Sequence, residues 1–180
     1  MIFGMQNMTN KNRKIIFGLG NTLNRDEGMG VYAVKALEKR VNQRLSSELN
    51  KGSINTEIEF LDGGVLGLNL LPWVEEASHL LILDAINANV EPGTLIEMKK
   101  DDILLYQGIK LSDHQITFQE VLGLAKVRMR LPDHLYLIGA QPVDISIGVD
   151  LSPQISSVLP KILDRAELIL QEWGLIHYYD

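Results

Sequence analysis

The chain has 180 residues, 17 Lys and Arg against 23 Asp and Glu, a formal net charge of −6 and no cysteine. With 46% apolar and 22% charged residues, the composition is that of an ordinary soluble domain and excludes a disordered chain, a collagen and a coiled coil. The missing cysteine excludes a disulfide framework, a thiolate zinc site and a cysteine nucleophile. The acidic balance speaks against a general nucleic-acid binder, whose phosphate contacts need basic patches.

Residues 1–13 read as a flexible polar leader and 14–180 as a single domain. The leader has no apolar run of signal-peptide length. The run Leu80 to Leu83 is far short of the ~20 residues that span a bilayer. The expectation is a cytoplasmic protein, monomeric by its size, with no membrane partner. Lys14 to Leu19 is a short apolar run closed by Gly20-Asn21 and predicts a buried strand ending in a loop. From Glu27 the period turns helical, with Val31, Val34, Leu37, Val41 and Leu45 on one face. Asp26 and Glu27 stand at its start, where negative charge suits the helix dipole.

Ile54 to Leu61 predicts a second strand, stopped by Asp62-Gly63-Gly64, and a short helix follows over Leu68 to Glu75. His79 to Ala85 is nearly all apolar, as expected of a parallel strand covered on both faces. Pro92-Gly93 is a turn and Thr94 to Met98 a further strand. Ser112 with Gln115 has the form of a capping box, opening a helix that continues through Phe118, Val121, Leu122 and Ala125. Leu135 to Gly139 is the next strand. Ser152-Pro153 starts a last helix whose apolar face runs from Ile155 to Trp173. About five strands interleaved with helices predict an α/β fold: a three-layer αβα sandwich around a twisted, mostly parallel, mixed sheet.

In such sheets ligands bind beyond the carboxyl ends of the strands. The residues there are Gly18, Gly20, Asn21, Asp26 and Glu27, then Asp62, Gly63 and Gly64, then Asp84 and Asn87, then His114, then Gln141 and Pro142. A dinucleotide site is disfavoured, because the third glycine of G-x-G-x-x-G falls on Leu23 and no acid ends a second strand at the required spacing. A tight strand-to-loop turn explains the same glycines. Glu27, Asp84 and His114 make a candidate metal site. Two carboxylates and one imidazole suit a divalent ion such as Ni²⁺ or Zn²⁺ and leave coordination positions open. At a helix N-terminus the ring of His114 would stay neutral and free to bind metal. Plainer readings stand beside these: His114 as a hydrogen-bonded surface residue, Glu27 as a dipole complement, Asp84 as a loop cap. His79 and His134 are expected to be solvated residues at strand starts. No G-x-S-x-G elbow is present.

The run from Gly18 to Val31 (GLGNTLNRDEGMGV) resembles the opening of the [NiFe]-hydrogenase maturation endopeptidases. Further matches follow in register: Asp62-Gly63-Gly64, Leu83-Asp84-Ala85, Pro92-Gly93-Thr94, Ser112-x-His114-Gln115, Gln141-Pro142 and Ser152-Pro153. The resemblance covers roughly 14–173. It implies an αβα protease that removes a C-terminal extension from the large-subunit precursor of a [NiFe] hydrogenase after nickel insertion. Glu27, Asp84 and His114 are then the metal-binding residues, meeting Ni²⁺ carried by the substrate; Zn²⁺ or Cd²⁺ could occupy the same site in crystals. Asp84 or Glu27 is the candidate general base, and Asp62, Gly63 and Gly64 form a substrate-binding loop. Two other readings remain: a non-enzymatic nickel-sensing or chaperone module, and a peptidyl-tRNA hydrolase-like enzyme. The latter also opens on strand-Gly-Leu-Gly-Asn, but Thr22 replaces its proline.

Overall fold

The computed structural model describes residues 11–48, 57–105 and 117–177. In chain order these form β1 (Arg13–Leu19), a 3-10 turn (Arg25–Gly28), α1 (Met29–Glu48), β2 (Ile58–Gly64), a 3-10 turn (Gly67–Leu70), α2 (Leu71–Glu76) and β3 (Ala77–Ala85). There follow β4 (Leu95–Lys99), α3 (Lys100–Leu105), α4 (Phe118–Val127), β5 (His134–Ala140) and α5 (Pro153–Glu172). The sheet order is β2-β1-β3-β5-β4. All pairings are parallel except β4 with β5, so the expected mixed α/β sandwich is what forms.

The period of two along each central strand sorts side chains into two cores. Ile16, Leu81, Leu83, Ile138 and Ala140 face α1 and α5, meeting Val34, Leu37, Val41, Ile162, Ala166 and Ile169. Ile15, Phe17, Leu80, Ile82, Leu135 and Leu137 face the opposite layer, meeting Val74 of α2, Ile103 of α3 and Val121, Leu122 and Ala125 of α4. No described helix is long and apolar enough to cross a membrane.

The chain leaves β1 toward β2 on one side and enters β3 on the other. The connections after β1 and β3 therefore diverge, which opens a crevice between the carboxyl ends of these two strands. Helix α4 runs back from that edge. Phe118 at its start packs edge-on against Phe17, with centroids 6.0 Å apart. Arg128 just beyond its end pairs with Glu75, next to the start of β3, at 3.0 Å.

Several local expectations change. β1 begins at Arg13, whose guanidinium pairs with Glu59 and Glu76 and lies over the Trp73 ring. β2 runs through Asp62-Gly63-Gly64 instead of stopping before it, because a bulge at Gly18/Leu19 lets pairing continue to Leu19↔Gly64. The long first helix starts at Met29 after a separate 3-10 turn that carries Asp26 and Glu27. Helix α4 opens at Phe118, with a capping box made by Thr117 and Glu120. Ser112, His114 and Gln115 lie outside the described residues, as do the first residues expected in β2. His79 is not a solvated residue. Its ring stacks on that of His134 at 4.1 Å and meets Trp173 edge-on at 5.3 Å. The two histidines fall on paired positions of neighbouring strands, a register that the sequence does not display. His134 itself is exposed.

Candidate active site

Close backbone approach builds the mouth of the crevice. Gly20, at φ 113°, lies under the turn that follows it: a Cβ there would sit 1.7 Å from the carbonyl oxygen of Glu27. A Cβ on Gly30 would sit 2.1 Å from the carbonyl oxygen of Leu83 and 2.5 Å from that of Leu19. Only glycine lets the start of α1 press onto the ends of β1 and β3 together. This contact brings Glu27, on the turn after β1, to Asp84, at the end of β3.

The two adjacent acids of the turn separate completely. Asp26 is fully buried. Its carboxylate accepts the backbone N–H groups of Val143 (2.9 Å), Asp144 (3.0 Å) and Ser152 (2.7 Å). It ties the turn to the segment between β5 and α5, a role that the dipole argument for this residue did not foresee. Glu27 remains half-buried at the mouth. Burial raises its pKa, and a hydrogen bond from the Asn24 side chain partly offsets that. Asn24 is in turn held by Asn21, whose Nδ2 donates to Asn24 Oδ1 at 3.2 Å and whose Oδ1 accepts the Leu23 N–H at 3.0 Å. Asn21 and Asn24 thus order the loop that presents Glu27.

Asp84 keeps part of its surface in solvent, but protein closes around its carboxyl. Burial pushes it up from 3.8 to about 7, the nearby charge of Glu27 acts in the same direction, and the Ala85 N–H opposes both. A neighbouring carboxylate and a low-polarity site each disfavour the ionised form. The result is a pair of acids, one of which titrates near neutrality. Such a pair can move a proton, or relieve its charge by binding a cation.

Asp62 pairs with Lys35 of α1 at 2.8 Å on the exposed side of the mouth. Gly64, at φ 44°, offers its carbonyl to the Gly20 N–H at 3.0 Å, so the Asp62-Gly63-Gly64 segment borders the Gly20 loop. Gln141 serves the scaffold. Its Oε1 accepts the N–H of Ala88 at 2.9 Å and its Nε2 donates to Asn87 at 3.2 Å, which holds the chain just beyond Asp84. Of the three predicted ligands, the structure brings Glu27 and Asp84 together, and His114 lies outside the described residues. Among the described residues, no group of three or more His, Cys, Asp or Glu gathers to hold a metal ion.

A family model described as hydrogenase maturation protease matches residues 31–169. The hydrogenase expression/formation protein HupD of Bradyrhizobium diazoefficiens is 36% identical over 173 residues, covering 95% of this chain and 84% of that protein. The hydrogenase 2 maturation protease of Escherichia coli is 29% identical, covering 91% and 93%. Among solved structures, the hydrogenase maturating endopeptidase HybD of E. coli superposes with a TM-score of 0.76 at 30% identity, covering 90% of this chain and 94% of that one. HycI of Thermococcus kodakarensis, at 21% identity and a TM-score of 0.67, shares the fold. A protease architecture with paired acids at the sheet switch point agrees with these likenesses: the chain belongs to the hydrogenase maturation protease family and is an endopeptidase.

Proposed function

We propose that this endopeptidase removes the C-terminal extension of a nickel-loaded [NiFe]-hydrogenase large-subunit precursor, with the substrate's nickel as the recognition element. The observation that carries the reading is the meeting of Glu27 and Asp84 at the crevice between β1 and β3, each with a raised proton affinity. Two acids that resist ionisation together form a weak cation site alone. They become a strong one when a cation arrives with further ligands of its own, as nickel held on substrate thiolates does. His114 is the third donor in this reading. Helix α4, which begins four residues downstream against Phe17, supports its membership.

The nickel of the substrate supplies recognition and a fixed reference point for the scissile peptide. The chain's own residues supply the rest. Asp84, freed from the cation and with its proton affinity raised by burial, accepts a proton from water as the water oxygen attacks the peptide carbonyl. The same proton then passes to the departing amine as the C–N bond breaks. Glu27, fixed by Asn24, orients the water or shares the cation. Asp62, Gly63 and Gly64 border the site where an extended substrate chain passes, and glycines there allow close backbone approach.

The test is processing of purified precursor with and without nickel, read by the mass of the product. Cleavage of the nickel-loaded form alone is expected, and its loss in His114→Ala with the circular dichroism spectrum unchanged. Equal cleavage of both forms refutes nickel recognition, and full activity of His114→Ala refutes the ligand assignment.

A further inference from the structure

The segment after β5 carries a pattern that the fold does not use. From Val143 to Val149 apolar residues occupy every second position (VDISIGV), the signature of a strand with one face buried. No strand forms there; the segment makes a single bridge, Asn24↔Gly148. All of its apolar side chains face solvent: Val143 is 39% exposed, Ile145 40%, Ile147 88% and Val149 57%, and Leu23 across the bridge is 62% exposed.

This is not a loose loop. The Asp26 carboxylate holds the N–H groups of Val143 and Asp144. The Gly148 N–H donates to the Leu23 carbonyl at 2.9 Å, and the Arg25 N–H to the Gly148 carbonyl at 2.9 Å. The Tyr32 hydroxyl donates to the Val149 carbonyl. The Arg25 side chain packs where a Cβ on residue 148 would stand and pairs with Asp144 at 3.3 Å. A segment pinned this often could have turned its aliphatic groups inward. It holds them outward instead, beside the turn that carries Glu27 and bonded to it. Clustered exposed aliphatic groups on a rigid support mark a binding surface.

An endopeptidase must hold an extended chain beside the scissile bond, and the ledge is joined to the turn that carries Glu27 by the Asn24↔Gly148 bridge and by the Asp26 carboxylate. We propose that Leu23, Ile145, Ile147 and Val149 form a docking ledge for an extended, apolar segment of the protein substrate adjoining the cleaved bond. The inference rests on Glu27 and Asp84 being the catalytic pair.

The test measures initial rates against the concentration of nickel-loaded large-subunit precursor for wild type, Ile147→Lys, Leu23→Ser/Ile147→Lys, Ile147→Leu and Asp84→Asn, with solution mass by light scattering. The exposed position of Ile147 lets the variants fold. For Ile147→Lys, KM is expected to rise by about tenfold or more, the factor that 1.4 kcal/mol of binding is worth. The double variant should rise further, the loss should fall on KM more than on kcat, and Ile147→Leu should restore wild-type behaviour. An unchanged KM in both lysine variants while Asp84→Asn is inactive overturns the ledge and leaves the catalytic reading intact. Normal processing by Asp84→Asn fails that reading and removes the ground for the ledge as well. A wild-type dimer that Ile147→Lys converts to monomer at unchanged KM assigns the surface to a second copy of this chain and overturns the proposal.

Discussion

Replacing Asp84 by Asn should stabilise the protein above neutral pH while abolishing processing. In the folded state the Asp84 carboxyl holds its proton up to about pH 7, against an ordinary value of 3.8. Between these two values the folded state binds more protons than the unfolded state, so stability falls as pH rises through the window. The whole span corresponds to about 4 kcal/mol at 1.36 kcal/mol per pH unit. Partial solvent contact trims this to about 2–4 kcal/mol. Asn keeps an oxygen for the Ala85 N–H and never ionises, so the variant lacks this cost. For a domain of this size the gain at pH 8 is about 5–15 °C in Tm. The assay is urea unfolding of both proteins at pH 4, 6 and 8. The two should agree at pH 4, and the variant should pull ahead by pH 8. Every other titrating group is common to both, so their difference reports Asp84 together with its coupling to Glu27. Parallel pH curves, or a variant weaker than wild type at pH 8, would refute the account of a carboxyl strained by burial and by Glu27.

The remaining expectations concern the scaffold. Asp26→Ala leaves three N–H groups without their acceptor and should cost about 3 kcal/mol or more, measured by chemical denaturation. It should also slow processing by loosening the Glu27 turn. Gly30→Ala drives a methyl into the Leu83 and Leu19 carbonyls and should destabilise by about 3 kcal/mol; a neutral result by calorimetry would contradict the close contact of α1 with the strand ends. His79 is lowered to about 4, first by burial and then by the charges of His134 and Lys14. The unfolded state therefore binds more protons below 6.5, and stability should fall as pH drops from about 6.5 toward 4. His79→Phe should flatten that slope in acid denaturation, an effect opposite in sign to that of Asp84.

The layers and much of the site were legible because they rest on local patterns. The near-continuous apolar run of β3 announces burial on both faces, and the helical period of α5 places Ile155, Ile162, Ala166 and Ile169 on one stripe that the core does bury. The rule that function gathers at strand ends points to Glu27 and Asp84 from the residues alone. Asn21 stands among the strand-end residues and both Asn21 and Asn24 lie in the Gly18–Val31 run, but nothing in that run shows that the two amides bond to each other and that Asn24 holds Glu27.

What the residues determined alone is the alternation of strands and helices, since hydrophobic period and turn chemistry act over a few positions of chain. What only the folded molecule decided is how like residues divide their labour. Asp26 and Glu27 are neighbours of equal charge, yet one is sealed inside and the other faces the crevice. The choice is made by N–H groups that arrive from 117, 118 and 126 residues away. His79 and His134 share a stack because two strands pair in one register. These are long-range contacts, and no local pattern encodes which distant donor or ring will be brought to a given side chain.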